Sequence, residues 1–480
     1  MLKKIRVILA LFFFIAVAAL FLDFTGTVHA YLGWCARVQL VPALLATQLA
    51  IVLGIIFLTL ILGRVYCSAI CPLGVFQDII SRLRLKKNRF SYRPPRKALV
   101  VLRYVLIAVF ILPLLFGKGG LVNLLDPYSM FGRMVSQIFG PVYKYGNNLL
   151  AYFAERADSY AFYTTDIWLR GSTMLVLAIL TFVAVVSFAY KSGRGYCNSI
   201  CPVGAFLGLI SKYYSLLKPR IDKEKCKRCG ICAKNCKAGC IDPSTLEIDG
   251  FRCVACFNCI ESCPSGSIKY TSPKLPDKLT AEGQTRRGIM VGTALLASSF
   301  ATRAAANEFD GGLARLEDKK APQQRTKPIV PAGAISWKNF HDRCTGCSLC
   351  VSVCPNQVLS PLKTKPIMFF ERGYCRPECV KCSEVCPTGA ISPITREEKT
   401  SIQIGVAVWK SDLCVINAKK DNCDLCLRKC PAGAITADPD SKTPIIDASR
   451  CTGCGACEHH CPSRPYSAIY VDGVEVHRDI

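Results

Sequence analysis

The chain has 480 residues, 51% of them hydrophobic, with a formal charge of +26 and 30 cysteines. That length allows several domains, and the apolar content, concentrated before Lys191, is high for a soluble protein. The cysteines recur at gaps of two or three residues, which argues against a disulfide scaffold. The basic residues flank apolar runs, as on cytoplasmic ends of membrane helices, so no nucleic-acid partner is expected.

Lys3, Lys4 and Arg6 precede an apolar run from Val7 to Leu22. A cleaved signal peptide is the rival reading. A retained helix is favoured, because no clear small-residue cleavage site follows and three more runs do: Val41 to Leu62, Ala98 to Phe116 and Ser172 to Tyr190. Each approaches the ~20 residues that cross a ~30 Å hydrocarbon core. The stretch Arg82 to Lys97 contains no acid, and it belongs in the cytoplasm with the amino terminus and with Lys191 to Arg194. Segments Asp23–Gln39 and Gly117–Arg170, the latter carrying Asp126, Glu155, Asp158 and Asp166, then face outward. Residues 1–217 are therefore expected to form an α-helical membrane domain of four transmembrane helices.

An internal repeat marks the cytoplasmic ends of helices two and four. RVYCSAICPLGVFQDIIS begins at Arg64 and RGYCNSICPVGAFLGLIS at Arg194, 130 residues later. Such duplication is common in membrane proteins. Each copy carries CxxxCP: Cys67 and Cys71, then Cys197 and Cys201. On a helix, residues four apart share a face, so two such faces could present four thiols. The four are candidate redox-active residues, as an additional iron–sulfur centre or as dithiols. A zinc site and plain buried cysteines beside the helix-breaking Pro72 and Pro202 stay open. Cys35 stands alone in WCARVQLVPALL and reads as a small apolar side chain.

From Lys218 the chain turns polar. Cys226, Cys229, Cys232 and Cys236 form CxxCxxCxxxC, and Cys253, Cys256, Cys259 and Cys263 repeat it. In two-cluster ferredoxins three close cysteines hold one 4Fe-4S cluster and the fourth serves the other. Residues 218–275 are thus expected to be an α+β ferredoxin-like domain. Cys226, Cys229 and Cys232 would be completed by Cys263, and Cys253, Cys256 and Cys259 by Cys236. Lys237 stands where such motifs usually have Pro, and the spare Cys240 is a rival to Cys236.

Thr285, Arg286 and Arg287 precede the apolar stretch GIMVGTALLASSFA and then Ala304–Ala306. This resembles a twin-arginine export signal with a cleavage site, so segment 285–306 is read as that signal or as a fifth membrane helix. Residues 307–335 read as a linker. Residues 336–480 hold four further quartets: Cys344, Cys347, Cys350, Cys354; Cys375, Cys379, Cys382, Cys386; Cys414, Cys423, Cys426, Cys430; and Cys451, Cys454, Cys457, Cys461. The crossing rule completes the first trio with Cys386, the second with Cys354, the third with Cys461 and the fourth with Cys430. The total is six 4Fe-4S clusters.

With these motifs in place, residues 1–275 resemble the NapH family of membrane quinol dehydrogenase subunits, through the four spans, the two CxxxCP motifs and the ferredoxin domain. Residues 285–480 resemble the NapG family, its exported four-cluster partner. The resemblance implies a quinol dehydrogenase component of anaerobic respiration in a bacterial inner membrane. Its multi-pass helices would leave residues 218–275 in the cytoplasm and the carboxyl domain in the periplasm. It implies the quinone pool as donor and a periplasmic cytochrome or reductase as acceptor. A cytoplasmic redox partner would meet the two-cluster domain. Asp126 and Tyr128 in LLDPYSMFGR are candidates for the quinone site, against a plain loop turn at Asp126–Pro127. Neither His459 nor His460 directly follows a CxxC pair, so no CxxCH haem motif is present. The alternatives are an electron-supplying maturation factor, transfer from a low-potential cytoplasmic donor, and a thiol sensor.

Overall fold

The computed structural model of the chain describes residues 2–83, 90, 92, 94, 97–115, 124–159, 161–165, 167, 172–272, 325–362, 364–419 and 422–480. The twin-arginine stretch at 285–306, most of the 307–335 linker and most of the basic 82–97 segment lie outside the described residues.

Leu2–Leu22 is one helix, as its unbroken apolar sequence demands. It stops at Asp23, whose carboxylate accepts from the backbone of Thr25, Gly26 and His29 and so folds the chain into a turn. Lys97–Leu115 and Ser172–Ser192 are the third and fourth apolar helices. The second run differs from expectation. Val41 to Leu62 does not form one helix but two, Leu40–Leu45 and Leu49–Leu62. The break falls at Thr47, whose φ of +56° no helix accommodates. By length and composition, two helices among the described residues can cross a membrane, Leu2–Leu22 and Thr173–Ser192; Leu49–Leu62 and Val100–Pro113 are apolar but shorter.

The chain divides into two compact units. The first comprises residues 1–12, 53–112 and 184–312, the second 13–52, 113–183 and 313–480.

In the first unit the repeat is structural as well as sequential. Gly63 and Gly193, at φ +65° and +62°, end their helices in the left-handed conformation glycine supplies. Short helices Val65–Ala69 and Gly195–Ser199 follow, then Pro72–Arg82 and Pro202–Tyr214. Each proline sits at the first helical turn, where its missing N–H costs nothing. Strand Lys218–Ile221 pairs antiparallel with Ile268–Thr271 and frames a ferredoxin-like lobe. The Tyr270 hydroxyl donates to the Leu62 carbonyl at 2.6 Å, and the Leu216 and Leu217 amides donate to the Leu60 and Ile61 carbonyls, tying this lobe to a helix end.

In the second unit three antiparallel pairs carry the carboxyl lobe: Leu359–Leu362 with Lys365–Met368, Ile435–Ala437 with Pro444–Ile446, and Ile402–Trp409 with Ile469–Asp479. Helix Pro127–Met134 packs between this lobe and the end of the first helix. The Phe21 ring lies 5.3 Å from that of Tyr128, and Phe14 lies 5.4 Å from Phe131. Gly132 has to be glycine, because a Cβ there would come within 2.5 Å of Phe21 and 2.9 Å of the Cys347 carbonyl.

Candidate functional site

The cysteine spacing writes a backbone pattern. In the four regular CxxCxxC runs, the residue after the second cysteine is left-handed: Gly230, Phe257, Ser348 and Gly455, at φ +69°, +61°, +68° and +79°. A one-turn helix bearing the third cysteine follows each. In the two runs with longer gaps that position holds Val380 and Asp424, at φ −115° and −130°. A β-branched valine resists the left-handed region, so the irregular gap and the altered turn go together.

The fold brings together each quartet formed by crossing. Cys226, Cys229, Cys232 and Cys263 line one small cavity, and Cys354, Cys375, Cys379 and Cys382 line another. Cys386 approaches Cys344, Cys347 and Cys350. Cys414, Cys423 and Cys461 surround Cys426, and Cys430 faces Cys451, Cys454 and Cys457. Cys236 faces Cys253, Cys256 and Cys259. Among the described residues no three His, Cys, Asp or Glu side chains are arranged to hold a single metal ion. All-thiol sets of four fit a 4Fe-4S cluster instead. Burial raises half of these thiols, Cys344 and Cys347 to about 12 and Cys454 to about 11. Thiols raised in this way resist ionising when free, whereas an iron ligand must be a thiolate.

The CxxxCP cysteines also converge, though not on one helix face. Cys67 and Cys197 sit in the short helices, while Cys71 and Cys201 cap the next ones. All four are at most 3% exposed, and the Cys197 thiol contacts both Cys67 and Cys201. Contact with Cys201 and Cys67, together with the charges of Arg194 and Arg64, pulls Cys197 down; contact with Cys197 and burial push Cys67 up.

Two arginines cross over between the repeats. Arg194 donates to the Cys67 carbonyl at 2.6 Å, and Arg64 reaches the Cys197 carbonyl at 3.4 Å. Gly74 and Gly204 make room: a Cβ on either would come within 2.8 Å of the visiting guanidinium. Their further partners differ. Arg194 donates to Asp78 at 2.8 Å, and Asp78 also takes Arg6 at 3.0 Å and Lys237 at 3.4 Å. Burial would raise Asp78, but the charges of Arg194 and Lys237 and the Arg194 hydrogen bond hold it well below the usual carboxylate range. Arg64 instead bonds Asn198 at 3.0 Å and the Phe251 carbonyl at 2.7 Å, two residues before Cys253. Lys237, where such motifs usually have Pro, brings its ammonium to Asp78. Lys399, likewise invisible to motif reading, donates to the carbonyls of Arg376 and Cys379 beside Cys375.

Asp126 and Tyr128 are brought close to this chemistry, yet Asp126 serves as a helix cap. It is buried and accepts from the Tyr128 and Ser129 amides and the Ser129 hydroxyl. Burial raises its carboxyl. The Tyr128 ring packs at a tilt against Phe21. Phe21 also borders a cavity of about 300 Å³, walled with it by Leu22, Phe24 and Val351 and reaching Cys354 and Pro355. Its polar wall includes Gln137 of the π-helical turn Val135–Phe139 and the Ser348 and Gln357 side chains. Among the described residues, the Ser348 Oγ and Gln357 Oε1 are buried without a hydrogen-bond partner. In the first unit, a cavity of about 370 Å³ is lined by Leu62, Arg64, Lys218, Arg220 and Cys253 among others. Cys35 is fully buried and contributes to neither cavity. His459 and His460 pack on each other and on Tyr374.

A family described as a 4Fe-4S binding domain matches residues 45–91 and 173–224, which contain the two CxxxCP repeats. Two families described as 4Fe-4S dicluster domains match residues 343–391 and 421–464. The methylamine utilization ferredoxin-type protein MauM of Methylobacillus flagellatus is 32% identical over 40% of this chain and 81% of its own length. The chain belongs to the ferredoxin-type 4Fe-4S electron-transport proteins. Other relatives of this ferredoxin-type protein include the ferredoxin-type protein NapH of Escherichia coli, 25% identical over 41% of this chain and 54% of NapH. The putative electron transport protein YccM of Escherichia coli is also 25% identical, over 43% of this chain and 49% of YccM. No solved structure matches the chain.

Proposed function

We propose that this chain is a quinol dehydrogenase component that takes electrons from a membrane quinol and delivers them to a periplasmic acceptor. Its four apolar segments form a four-helix membrane domain, with residues 285–306 as export signal or fifth helix. The 24 crossing cysteines hold six 4Fe-4S clusters, and the CxxxCP thiols are redox-active beside them. When bound, the clusters supply one-electron acceptors and donors across a wide range of potentials.

The observation that carries this reading is the cavity beside Cys354. Its aromatic and aliphatic wall suits a quinol ring, and the Gln137 amide on its polar wall suits a quinol hydroxyl. A quinol oxidised there gives up two electrons and two protons, with the protons passing to the outer aqueous side. The grouping of the chain supports that orientation. Segments 23–39 and 124–159, placed outside by the charge rule, share a unit with the carboxyl lobe; Lys3, Lys4, Arg6 and Lys191–Arg194 share one with the two-cluster lobe.

A second reading rests on the other cavity. Lys218 and Arg220 stand with Cys253 at its wall, which suits an acidic low-potential cytoplasmic donor. A maturation factor could use the same entry. Anaerobic addition of a reduced menaquinol analogue to the full chain decides between them. Fast cluster bleaching that is abolished by Val351→Trp supports the first reading. Bleaching only by reduced ferredoxin overturns it.

A further inference from the structure

The cluster site of Cys253, Cys256 and Cys259 has one thiol more than a 4Fe-4S cluster takes. Cys236 faces the trio as the crossing rule requires, and the Cys240 Sγ lies only 3.4 Å from the Cys236 Sγ. Cys240 also contacts the Cys253 thiol. The backbone sets both sulfurs facing the same way. Gly239, at φ +57°, turns the chain back, and its amide donates to the Cys236 carbonyl. The Cys240 carbonyl accepts from the Asp249 amide, and Ile241 bridges to Ile248. Cys240 is 2% exposed and Cys236 6%, so neither sulfur faces solvent.

A packing role alone would need only a small apolar side chain, with no need for contact with two ligand sulfurs. A Cys236–Cys240 disulfide would shorten the contact to about 2.05 Å and remove both thiolates from the site. Four-thiolate ligation leaves one of the five sulfurs over. Lys237 sets which part of the loop is fixed: its ion pair with Asp78, the Arg194 amide on its carbonyl and the Asn198 amide on the Ala238 carbonyl hold the centre of the loop. The two cysteines flank that anchored centre.

Resting on the cluster reading above, we propose that Cys236 and Cys240 are interchangeable fourth ligands to the cluster of Cys253, Cys256 and Cys259. The unbound thiol hydrogen-bonds to a bound sulfur, and hydrogen bonds to ligand sulfurs tune the cluster potential.

The test is iron and acid-labile sulfide content, with EPR of the dithionite-reduced protein, for the anaerobically purified full chain as Cys236→Ala, Cys240→Ala and the double variant. The expected result is full iron in both single variants, with altered EPR of one cluster. The double variant loses about four irons, one cluster's worth. Signals of the remaining clusters report whether each variant is folded. Loss of those irons in either single variant alone, or in both, overturns interchangeability. Full iron in the double variant shows that neither thiol is a ligand. The control Cys256→Ala then tells whether a cluster is held there at all, which separates failure of this inference from failure of the cluster reading.

Discussion

Asp78→Asn removes the one carboxylate among three buried cations. Asp78, Arg6, Arg194 and Lys237 have side chains no more than 7% exposed, with contacts of 2.8 to 3.4 Å. Deleting one partner of a buried ion pair costs about 3–5 kcal/mol, because the other charge stays buried and uncompensated. For a unit of this size about 1 kcal/mol moves the unfolding midpoint by roughly 2–4 °C, so the variant should unfold about 10 °C lower. The assay is loss of cluster absorbance on heating the detergent-solubilised protein. The folded carboxyl is held below its ordinary value. Its stabilisation is therefore complete above the unfolded value of about 3.9 and fades only as pH falls through the folded value. The deficit should be the same at pH 6 and pH 8. Adding Lys237→Met to Asp78→Asn removes one orphan cation and should recover part of the loss. An Asp78→Asn protein as stable as wild type would refute the argument that this network bears on stability.

Further outcomes follow from the same geometry. Gly74→Ala or Gly204→Ala forces a Cβ into the crossing guanidinium and a cysteine carbonyl, and overpacking of this kind costs about 1–3 kcal/mol; lowered thermal stability checks it. Gln137→Leu should weaken binding of a quinol analogue about fivefold, the worth of one net hydrogen bond, measured by fluorescence titration. Cys67→Ala combined with Cys197→Ala should leave quinol reduction of the carboxyl-lobe clusters unchanged while slowing reduction of the two-cluster lobe, followed by freeze-quench EPR.

The cysteine framework was legible because ligand spacing is local: CxxCxxC fixes a turn and a one-turn helix wherever the chain goes. The irregular gaps at Cys379 and Cys423 showed in the sequence, and there Val380 and Asp424 stand in the turn without the left-handed conformation. What periodicity missed was set by backbone or by distance. Hydropathy cannot see the positive φ at Thr47 that divides the second apolar run. Lys237 looked like a defect in a motif, since its partner Asp78 is 159 positions away. The exchanged arginines sit inside the repeat, but only the packed repeats reveal that Arg64 and Arg194 serve each other's cysteines. Asp126, read as a quinone-site candidate, caps a helix and is not among the residues lining the cavity. Ser348, which lines that cavity, stood unnoticed between two predicted ligands.

Quinol entry beside Cys354 can be watched in a single-turnover reduction experiment. A reduced menaquinol analogue is mixed anaerobically with the full-length protein, and cluster EPR is followed in wild type and Val351→Trp. Rapid reduction is expected in wild type and none in the filled-cavity variant, which dithionite still reduces fully. Equal reduction of both proteins, or reduction only by a low-potential cytoplasmic ferredoxin, would contradict it.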